Sequence, residues 1–258
     1  MERIILIETS TALCSVALAE DGAVTAYRES SAPKAHASLT AVFIQEMLDE
    51  RGLKLADCDA VCVSMGPGSY TGLRVGVSTA KGLCFGAGKP LLAVGTLDTL
   101  VAQASGEIAG QAGNDGQQTG KDGQQTDNDG CSSVVIPGLT GNPRFIIPMV
   151  DARRMEVYTA VFENGQQISE TAPAIIDENS FAEYLEQGPC LFIGDGAGKC
   201  ADVIRHPNAH FCQCHPKASS MLAPALAAYR AGDFKDVAYF EPFYLKEFVA
   251  TVSKKKLF

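Results

Sequence analysis

The 258-residue sequence contains no tryptophan, only four histidines, and fewer basic than acidic residues. Its formal net charge is −9 at pH 7, and its basic residues form no long run. An acidic surface repels phosphate backbones, so strong direct binding of nucleic acid is not expected. Any contact with RNA is therefore expected to be indirect, through a complex.

The sequence also lacks an apolar run long enough to span a membrane, and no signal-peptide pattern opens it. Nine cysteines, an odd number, are scattered from Cys14 to Cys214. In a chain of this length without a signal, cysteines in that arrangement are typical of reduced thiols. These features predict a cytoplasmic protein that does not enter a membrane.

Recognisable catalytic and metal-binding patterns are absent as well. No Gly-x-Ser-x-Gly elbow occurs, and His36 has no second histidine three or four residues further on. One dense group of candidate ligands has a spacing that fits no standard zinc pattern. It consists of His206, His210, Cys212, Cys214 and His215. We predict no catalytic residue and no metal site.

Residues 105 to 143 differ in composition from the rest of the chain. Asp-Gly-Gln-Gln-Thr occurs twice, and no Val, Ile, Leu, Phe or Tyr lies between Ala109 and Ser133. Such a segment cannot bury enough apolar surface to offset the entropy of ordering it. We interpret it as a flexible low-complexity insertion between a first lobe, residues 1–104, and a second lobe, residues 144–258.

The two predicted lobes repeat each other. Glu8 lies 14 residues before Gly22, and Asp151 lies 14 residues before Gly165. Both glycines close two-residue turns of the kind that antiparallel hairpins favour. Each hairpin is followed by an extended segment, a helix, an apolar strand ending in Gly-x-Gly and another helix.

This order predicts a duplicated ribonuclease H-like α/β fold with two lobes facing a cleft, the architecture of actin, Hsp70 and sugar kinases. It leaves open whether the last helix, at about 218–231, packs back on the first lobe. That fold hosts both kinases and proteins without chemistry, so fold alone does not decide function.

In working members of this architecture the cleft binds a nucleotide. The second hairpin turn here has no glycine and carries bulky arginines, so a close backbone cradle for phosphate is lost. We interpret the site as degenerate. Its candidate residues are Glu8, Thr9, Ser10, Asp151, Arg153, Gly194, Asp195 and Gly196. The alternative is an ATP-dependent small-molecule kinase or an ATP hydrolase that uses this cleft.

The stretch MGPGSYTGLRVGVSTAKGLCFGAG, residues 65–88, joins a glycine loop to a glycine-rich helix. It fits neither the P-loop nor the dinucleotide template, so the loop is predicted to be a turn with Ser69 or Thr71 capping the helix. Small residues then recur every fourth position and form a ridge that would let another helix approach closely. The ridge is Gly72, Gly76, Ala80, Cys84 and Gly88.

The helix predicted over 36–50 carries an apolar core stripe at Leu39, Val42, Phe43 and Met47. Further apolar positions widen the stripe beyond the needs of one lobe. We therefore predict a helix-on-helix protein interface on these two helices, with internal packing as the alternative. We also expect Gly76→Leu to leave the chain folded and to abolish docking. The predicted interface residues are His36, Leu39, Thr40, Phe43, Met47, Gly72, Arg74, Val75, Gly76, Thr79, Ala80, Leu83 and Cys84.

Five stretches together resemble the TsaB family of bacterial tRNA threonylcarbamoyladenosine (t6A) biosynthesis proteins. They are ILIETSTALCSVAL, MGPGSYTGLRVGVSTAKGL, DARRMEVY, GDGA and FYLKEF, and the resemblance covers the chain except roughly residues 105–143. It implies a non-catalytic scaffold that binds and activates the paralogue TsaD, whose metal-binding histidines it lacks. Docking would use the helices matching 36–50 and 71–88.

The resemblance further implies a ternary complex with the ATPase TsaE and a homodimer when TsaD is absent. The complex transfers threonylcarbamoyl to N6 of adenosine 37 in tRNAs that read ANN codons. No cofactor is implied, with ATP or ADP bound only weakly or at the partner interface. Glu8 departs from the Asp common in the family, which weakens the case for an ATP site. A metallopeptidase, an older description of related proteins, would need a metal.

Overall fold

The computed structural model describes residues 1–112 and 142–245. Most of the predicted insertion, residues 113–141, lies outside the described residues. The predicted start of that insertion at residue 105 is wrong, because a helix that begins at Thr96 continues through Ala112.

The first lobe is built on a five-stranded sheet of order β3-β2-β1-β4-β5. Its first three strands form an antiparallel meander, and β4 and β5 then run parallel to β1. Asp21 and Gly22 form the predicted hairpin turn with φ values of 49° and 84°. The strands are β1 (Arg3–Glu8), β2 (Cys14–Glu20), β3 (Ala23–Ser30), β4 (Ala60–Gly66) and β5 (Leu91–Gly95).

The second lobe repeats this topology in the order β10-β7-β6-β11-β12, which confirms the predicted duplication. A small hairpin is added, in which β8 pairs with β6 and β9. The extended segment predicted over 166–176 is therefore broken into β9 and β10. The strands are β6 (Phe145–Asp151), β7 (Glu156–Thr159), β8 (Phe162–Glu163), β9 (Gln166–Gln167), β10 (Ala172–Ile175), β11 (Cys190–Gly194) and β12 (Ala209–Gln213).

Six α-helices accompany the two sheets in the described part of the chain. The second begins as predicted, with the Ser69 hydroxyl accepting a hydrogen bond from Gly72 N at 3.4 Å, and ends at Gly88 in the left-handed conformation. The helices are α1 (Ala35–Glu50), α2 (Tyr70–Ala87), α3 (Thr96–Ala112), α4 (Ala182–Leu185), α5 (Ala197–Ala201) and α6 (Leu222–Ala231).

The lobes exchange helices, so the predicted boundaries do not coincide with the packing. Leu97 and Leu100 of α3 pack in a core with Leu191 of the second sheet. In return, Ala225 of α6 packs in a core with Ile4 of the first sheet. The last helix therefore returns to the first lobe, and the assignment of the whole range 144–258 to the second lobe is corrected.

The chain after α6 also belongs spatially to the first lobe. Lys235 N donates to Leu91 O (2.8 Å), and Phe243 N donates to Met65 O (2.7 Å). Between them, Lys81 Nζ donates to the carbonyl oxygen of Ala238 at 2.9 Å. Residues 234–245 thus run beside α2 towards the cleft between the lobes.

The buried face of α1 differs from the predicted core stripe. The buried residues are Ala35, Thr40, Ile44, Met47 and Leu48. Val42 is 44% exposed, and Leu39 and Phe43 are only half-buried. Because nearly every turn of α1 carries apolar residues on two sides, the pattern alone does not fix which side meets the sheet.

Candidate docking face and interlobe cleft

The small-residue ridge of α2 faces the chain's own sheet, which corrects the prediction that it meets a foreign helix. Gly72, Gly76, Ala80 and Cys84 are all buried. A Cβ atom on Gly76 would collide with Thr9 Oγ1, and one on Gly72 would collide with the Thr9 carbonyl. The glycines therefore let α2 approach the turn between β1 and β2.

The opposite side of α2 is exposed and carries two further glycines. Gly82 and Gly86 are exposed, and no atom lies within 4 Å of a Cβ atom built on either. Phe85, between them in sequence, is 86% exposed. A glycine inside a helix costs about 1 kcal/mol relative to alanine. Nothing within the described chain requires these two glycines, so their backbone is open to another molecule.

The exposed side of α1 adds apolar surface near α2. Ala41 and Val42 are exposed there, and Phe43 and Leu83 both lie at the rim of the core beneath the two helices. We call the exposed sides of α1 and α2, including Val42, Gly82, Phe85 and Gly86, the docking face.

The thirteen predicted interface residues divide between this face and the core. Arg74 is exposed, and six others are half-buried: His36, Leu39, Phe43, Val75, Thr79 and Leu83. The remaining six are buried in the chain's own lobe: Thr40, Met47, Gly72, Gly76, Ala80 and Cys84. The sequence-based prediction did not select Val42, Gly82, Phe85 or Gly86 as interface residues, although helical spacing from the ridge could have placed the three α2 residues away from it.

An apolar groove of about 530 Å³ borders the docking face. It lies between α2 and the segment that returns beside it. Its lining residues are Lys81, Gly82, Phe85, Asp236, Val237 and Ala238.

The second feature is a cleft of about 800 Å³ between the two lobes. Of the eight predicted nucleotide-site residues, four line it: Ser10, Asp151, Arg153 and Asp195. Glu8 and Thr9 are buried, as are Gly194 and Gly196, and none of these four lines the cleft.

The backbone of the first hairpin turn is hydrogen-bonded within the chain itself. Ser10 N donates to Glu8 Oε1 (2.6 Å), and Ser10 O accepts a hydrogen bond from Ser69 N (2.6 Å). Gly68 lies so close that a Cβ atom on it would collide with Ser10. The glycine loop therefore packs directly against this turn, which carries the predicted nucleotide-site residues Thr9 and Ser10.

Glu8 is fully buried behind the same turn. Its Oε1 also accepts a hydrogen bond from Ser64 Oγ at 2.9 Å, whereas its Oε2 has no partner in the described structure. Burial raises the pKa of Glu8 to about 7, against the smaller effects of these hydrogen bonds. The carboxyl therefore titrates near neutrality, far from its usual range.

Lys199 stabilises the second hairpin turn through an ion pair and hydrogen bonds. Its ammonium pairs with the Asp151 carboxylate and donates to Arg154 O (2.8 Å). Arg153 and Arg154 adopt left-handed backbone conformations, with φ of 69° and 51°. Asp151 N donates to Asp195 Oδ1 at 2.9 Å, and burial raises the pKa of Asp195.

Gly194 and Gly196 have a structural use rather than a phosphate contact. A Cβ atom on Gly194 would collide with Met149 O, and one on Gly196 would lie 2.8 Å from Val157 Cγ1. Both glycines thus allow β11 and the turn after it to pass close to neighbouring strands of the second sheet.

Two histidines, His36 and His215, contact Thr11 at the cleft. His36 Nε2 lies 2.9 Å from Thr11 O. His215 Nδ1 lies 3.2 Å from Thr11 Oγ1 and 3.8 Å from Asp195 Oδ2. Because hydroxyl and carboxylate meet the same ring nitrogen, this is not a serine-protease-type relay, which uses both nitrogens. Thr11 and His215 are far apart in sequence, and no sequence signal joined them.

No three histidine, cysteine or acidic side chains within residues 1–112 and 142–245 converge as a metal site would require. Of the cluster that begins at His206, only His210 and Cys212 lie on β12, and Cys212 is buried in the core of the second lobe. None of the helices in the described ranges has the length and apolar character needed to cross a membrane.

Comparison with known families identifies a match to part of the chain. The family model for TsaD, tRNA N6-adenosine threonylcarbamoyltransferase, matches residues 29–114. Within the described residues, this range runs from the end of β3 through both helices of the docking face to α3.

Individual relatives extend the similarity to nearly the whole chain. The tRNA threonylcarbamoyladenosine biosynthesis protein TsaB of Escherichia coli (strain K12) is 30% identical over 259 residues, which cover 96% of each chain. The tRNA N6-adenosine threonylcarbamoyltransferase of Agrobacterium fabrum is 43% identical over 67 residues, 26% of this chain and 18% of that protein. The solved structure of YeaZ from Pseudomonas aeruginosa has a TM-score of 0.72 at 24% identity and covers 95% of this chain and 100% of that chain. That structural likeness supports the fold.

Proposed function

The chain belongs to the TsaB family of tRNA threonylcarbamoyladenosine biosynthesis proteins, and we propose that it is a non-catalytic subunit of the complex that makes this nucleotide. In this proposal it acts in the cytoplasm, binds a TsaD-type transferase through the docking face and activates it. The transferase then modifies N6 of adenosine 37 in tRNAs that read ANN codons. A TsaE-type ATPase joins the complex, and a homodimer forms through the same face when the transferase is absent.

The observation that carries this proposal is the docking face. Exposed glycines on α2 lie beside a protruding Phe85, and the neighbouring helix α1 exposes Ala41 and Val42. Fully exposed phenylalanine and unprotected helical glycines are unfavourable for an isolated chain, and aromatic residues are enriched at protein interfaces. A second helix pair packed on this side would bury Phe85 and could approach the helix backbone closely at Gly82 and Gly86.

The match to the transferase family supports the choice of partner. It spans α1 and α2, so a TsaD-type protein shares the elements that carry the docking face. Two related helix pairs can pack against each other in a roughly two-fold arrangement, as self-associating surfaces do. A paralogue is therefore a natural occupant of a face that also serves a homodimer.

A non-catalytic role fits the cleft. The backbone N–H and carbonyl of Ser10 bond within the chain, and Lys199 pairs with the carboxylate of Asp151. We predict that the isolated chain releases no phosphate from ATP in the presence of Mg²⁺, measured as free phosphate over hours. Steady turnover that disappears in an Asp151→Asn variant would instead support the kinase or hydrolase alternative.

The docking face predicts the effect of filling its glycine surface. Gly82→Leu places a branched side chain where the partner helix would approach, and we expect it to weaken binding of the TsaD-type partner more than 100-fold in isothermal titration. The fold should be unaffected, because no atom of the chain lies within 4 Å of the added Cβ.

Gly106→Leu is the matched control for this variant. Gly106 is an exposed helical glycine with nothing within 4 Å of an added Cβ, but it lies on α3. It should bind the partner as the wild-type chain does. If Gly82→Leu and Gly106→Leu bound the partner with equal affinity, the exposed side of α2 would not be the binding surface.

Reconstitution tests the function itself. Purified TsaD- and TsaE-type proteins, unmodified tRNA and threonylcarbamoyl adenylate should form t6A only when this chain is added. Nucleoside analysis of the tRNA by mass spectrometry measures the product. Formation of t6A at the same rate without the chain would contradict a role as an activating subunit.

A further inference from the structure

The turn that follows Glu8 is locked to the inner side of α2. Thr9 Oγ1 donates to Gly72 O at 2.9 Å, and Ser10 O accepts from Ser69 N at 2.6 Å. Gly72 and Gly76 leave no room for a Cβ atom against Thr9. A displacement of this turn must therefore disturb the first half of α2, the helix whose second half carries Gly82, Phe85 and Gly86 of the docking face.

Only one oxygen of the Glu8 carboxyl, behind this turn, has hydrogen-bond partners among the described residues. Oε1 of Glu8 accepts two hydrogen bonds, from Ser10 N and Ser64 Oγ. Oε2 of Glu8 and Oγ of Ser10 are both buried and have no hydrogen-bond partner among the described residues. A proton on Oε2 removes the charge that this arrangement leaves uncompensated.

The groups that surround Glu8 are neutral. Ser64 reaches it from β4 and Ser10 from the turn, while α2 presents glycines to the turn. The titratable side chains that feel its charge are Cys14 on β2 and Cys62 on β4, and burial raises the pKa of each thiol. Ionisation of Glu8 therefore places an anion among neutral groups beneath α2. Its existing hydrogen bonds offset the cost of burying that charge only in part, and movement of the turn or entry of water would stabilise the anion further.

We propose that Glu8 is a proton-linked control of docking: the neutral carboxyl holds the turn and α2 in the geometry that binds the partner, and loss of its proton weakens binding. This inference rests on the proposed function for the identity of the partner. One proton can change an affinity by at most about tenfold per pH unit. Its effect is confined to the range around neutrality, because Glu8 titrates there.

The test compares affinity for the TsaD-type partner at pH 6.5 and pH 8.5. We expect the dissociation constant of the wild-type chain to rise about tenfold, within the one-proton limit. It should stay constant for Glu8→Gln, which is neutral at both pH values. Asp98→Asn is the control, because it removes another carboxyl whose pKa burial raises, on α3 instead of beneath α2. That variant should keep the wild-type pH dependence.

A second measurement needs no partner. Hydrogen exchange of the α2 amides in the isolated chain, corrected for the intrinsic pH dependence of exchange, should be about tenfold faster at pH 8.5 than at pH 6.5 in the wild type and unchanged in Glu8→Gln. Identical pH responses of the two chains in exchange, or in binding, overturn the inference. Absence of partner binding at every pH contradicts the proposed function instead, and the exchange result then still decides the proton-linked movement.

Discussion

Replacing Gly76 by leucine is expected to destabilise the folded chain by about 3 kcal/mol or more. The added side chain must enter the space held by Thr9 Oγ1, with Val63 3.4 Å from its Cβ atom. Overpacking of this kind typically costs about 1–3 kcal/mol, and loss of the hydrogen bond between Thr9 and Gly72 adds about 1 kcal/mol. Urea unfolding should show the loss, and the melting temperature should fall by roughly 10 °C.

The structure thus reverses the effect that the sequence alone suggests for this variant, namely an intact fold with docking lost. Gly82→Leu, six residues along the same helix, serves as the comparison. It should unfold within about 1 kcal/mol of the wild type, because its Cβ meets open space and leucine is the better helix former. A Gly76→Leu chain as stable as the wild type would mean that α2 does not press on the β1–β2 turn.

Replacing Glu8 by glutamine is expected to remove a pH dependence of stability worth about 3 kcal/mol. Burial raises the pKa of Glu8 from 4.5 to about 7 in the folded chain. Between these values the folded chain retains a proton that the unfolded chain has released. Stability therefore falls by about 1.4 kcal/mol per pH unit as pH rises from about 4.5 to 7, and it levels off above pH 7.

The measurement is the difference in unfolding free energy between wild type and Glu8→Gln, determined in urea at pH 5 and at pH 8. Other titrating groups are common to both chains and cancel. The wild type should lose about 2.5 kcal/mol relative to the variant between the two pH values. A difference that does not change with pH would show that the carboxyl ionises in the folded chain as readily as in the unfolded one.

Much of the fold follows from local sequence signals. The turns at Gly22 and Gly165 have the positive φ values that their Asp-Gly and Asn-Gly steps favour. Ser69 caps α2 as its position before the helix suggests. These features depend on interactions within a few residues, so they can be predicted from the sequence. The repetition of the hairpin turns in both halves indicates the duplication.

Orientation was less predictable, because it depends on contacts distant in sequence. Spacing places Gly72 and Gly76 on one side of α2, but it does not say whether that side meets the chain's own sheet or another molecule. The contact of Gly72 with Thr9, 63 residues earlier in the chain, shows that this side meets the chain's own lobe. The exchange of α3 and α6 between lobes likewise depends on which sheet offers an uncovered apolar face.

The cleft residues were also only partly predictable, because their contacts join residues distant in sequence. Sequence analogy selected Gly194 and Gly196 as nucleotide contacts, whereas they allow close passage of the backbone within the second lobe. It did not select Thr11 and His215, which meet at the cleft across 204 residues. Pairings of this length have no local pattern, and they become visible only once the two lobes are in place.

The central claim is that this chain works by being bound on the exposed sides of α1 and α2. Hydrogen exchange of the chain, alone and saturated with the TsaD-type partner from the same organism, tests it most directly. The account predicts strong protection of peptides covering 36–50 and 70–87, with β6 to β12 unchanged. Protection confined to the second lobe or the interlobe cleft, or no stable complex at all, would contradict it.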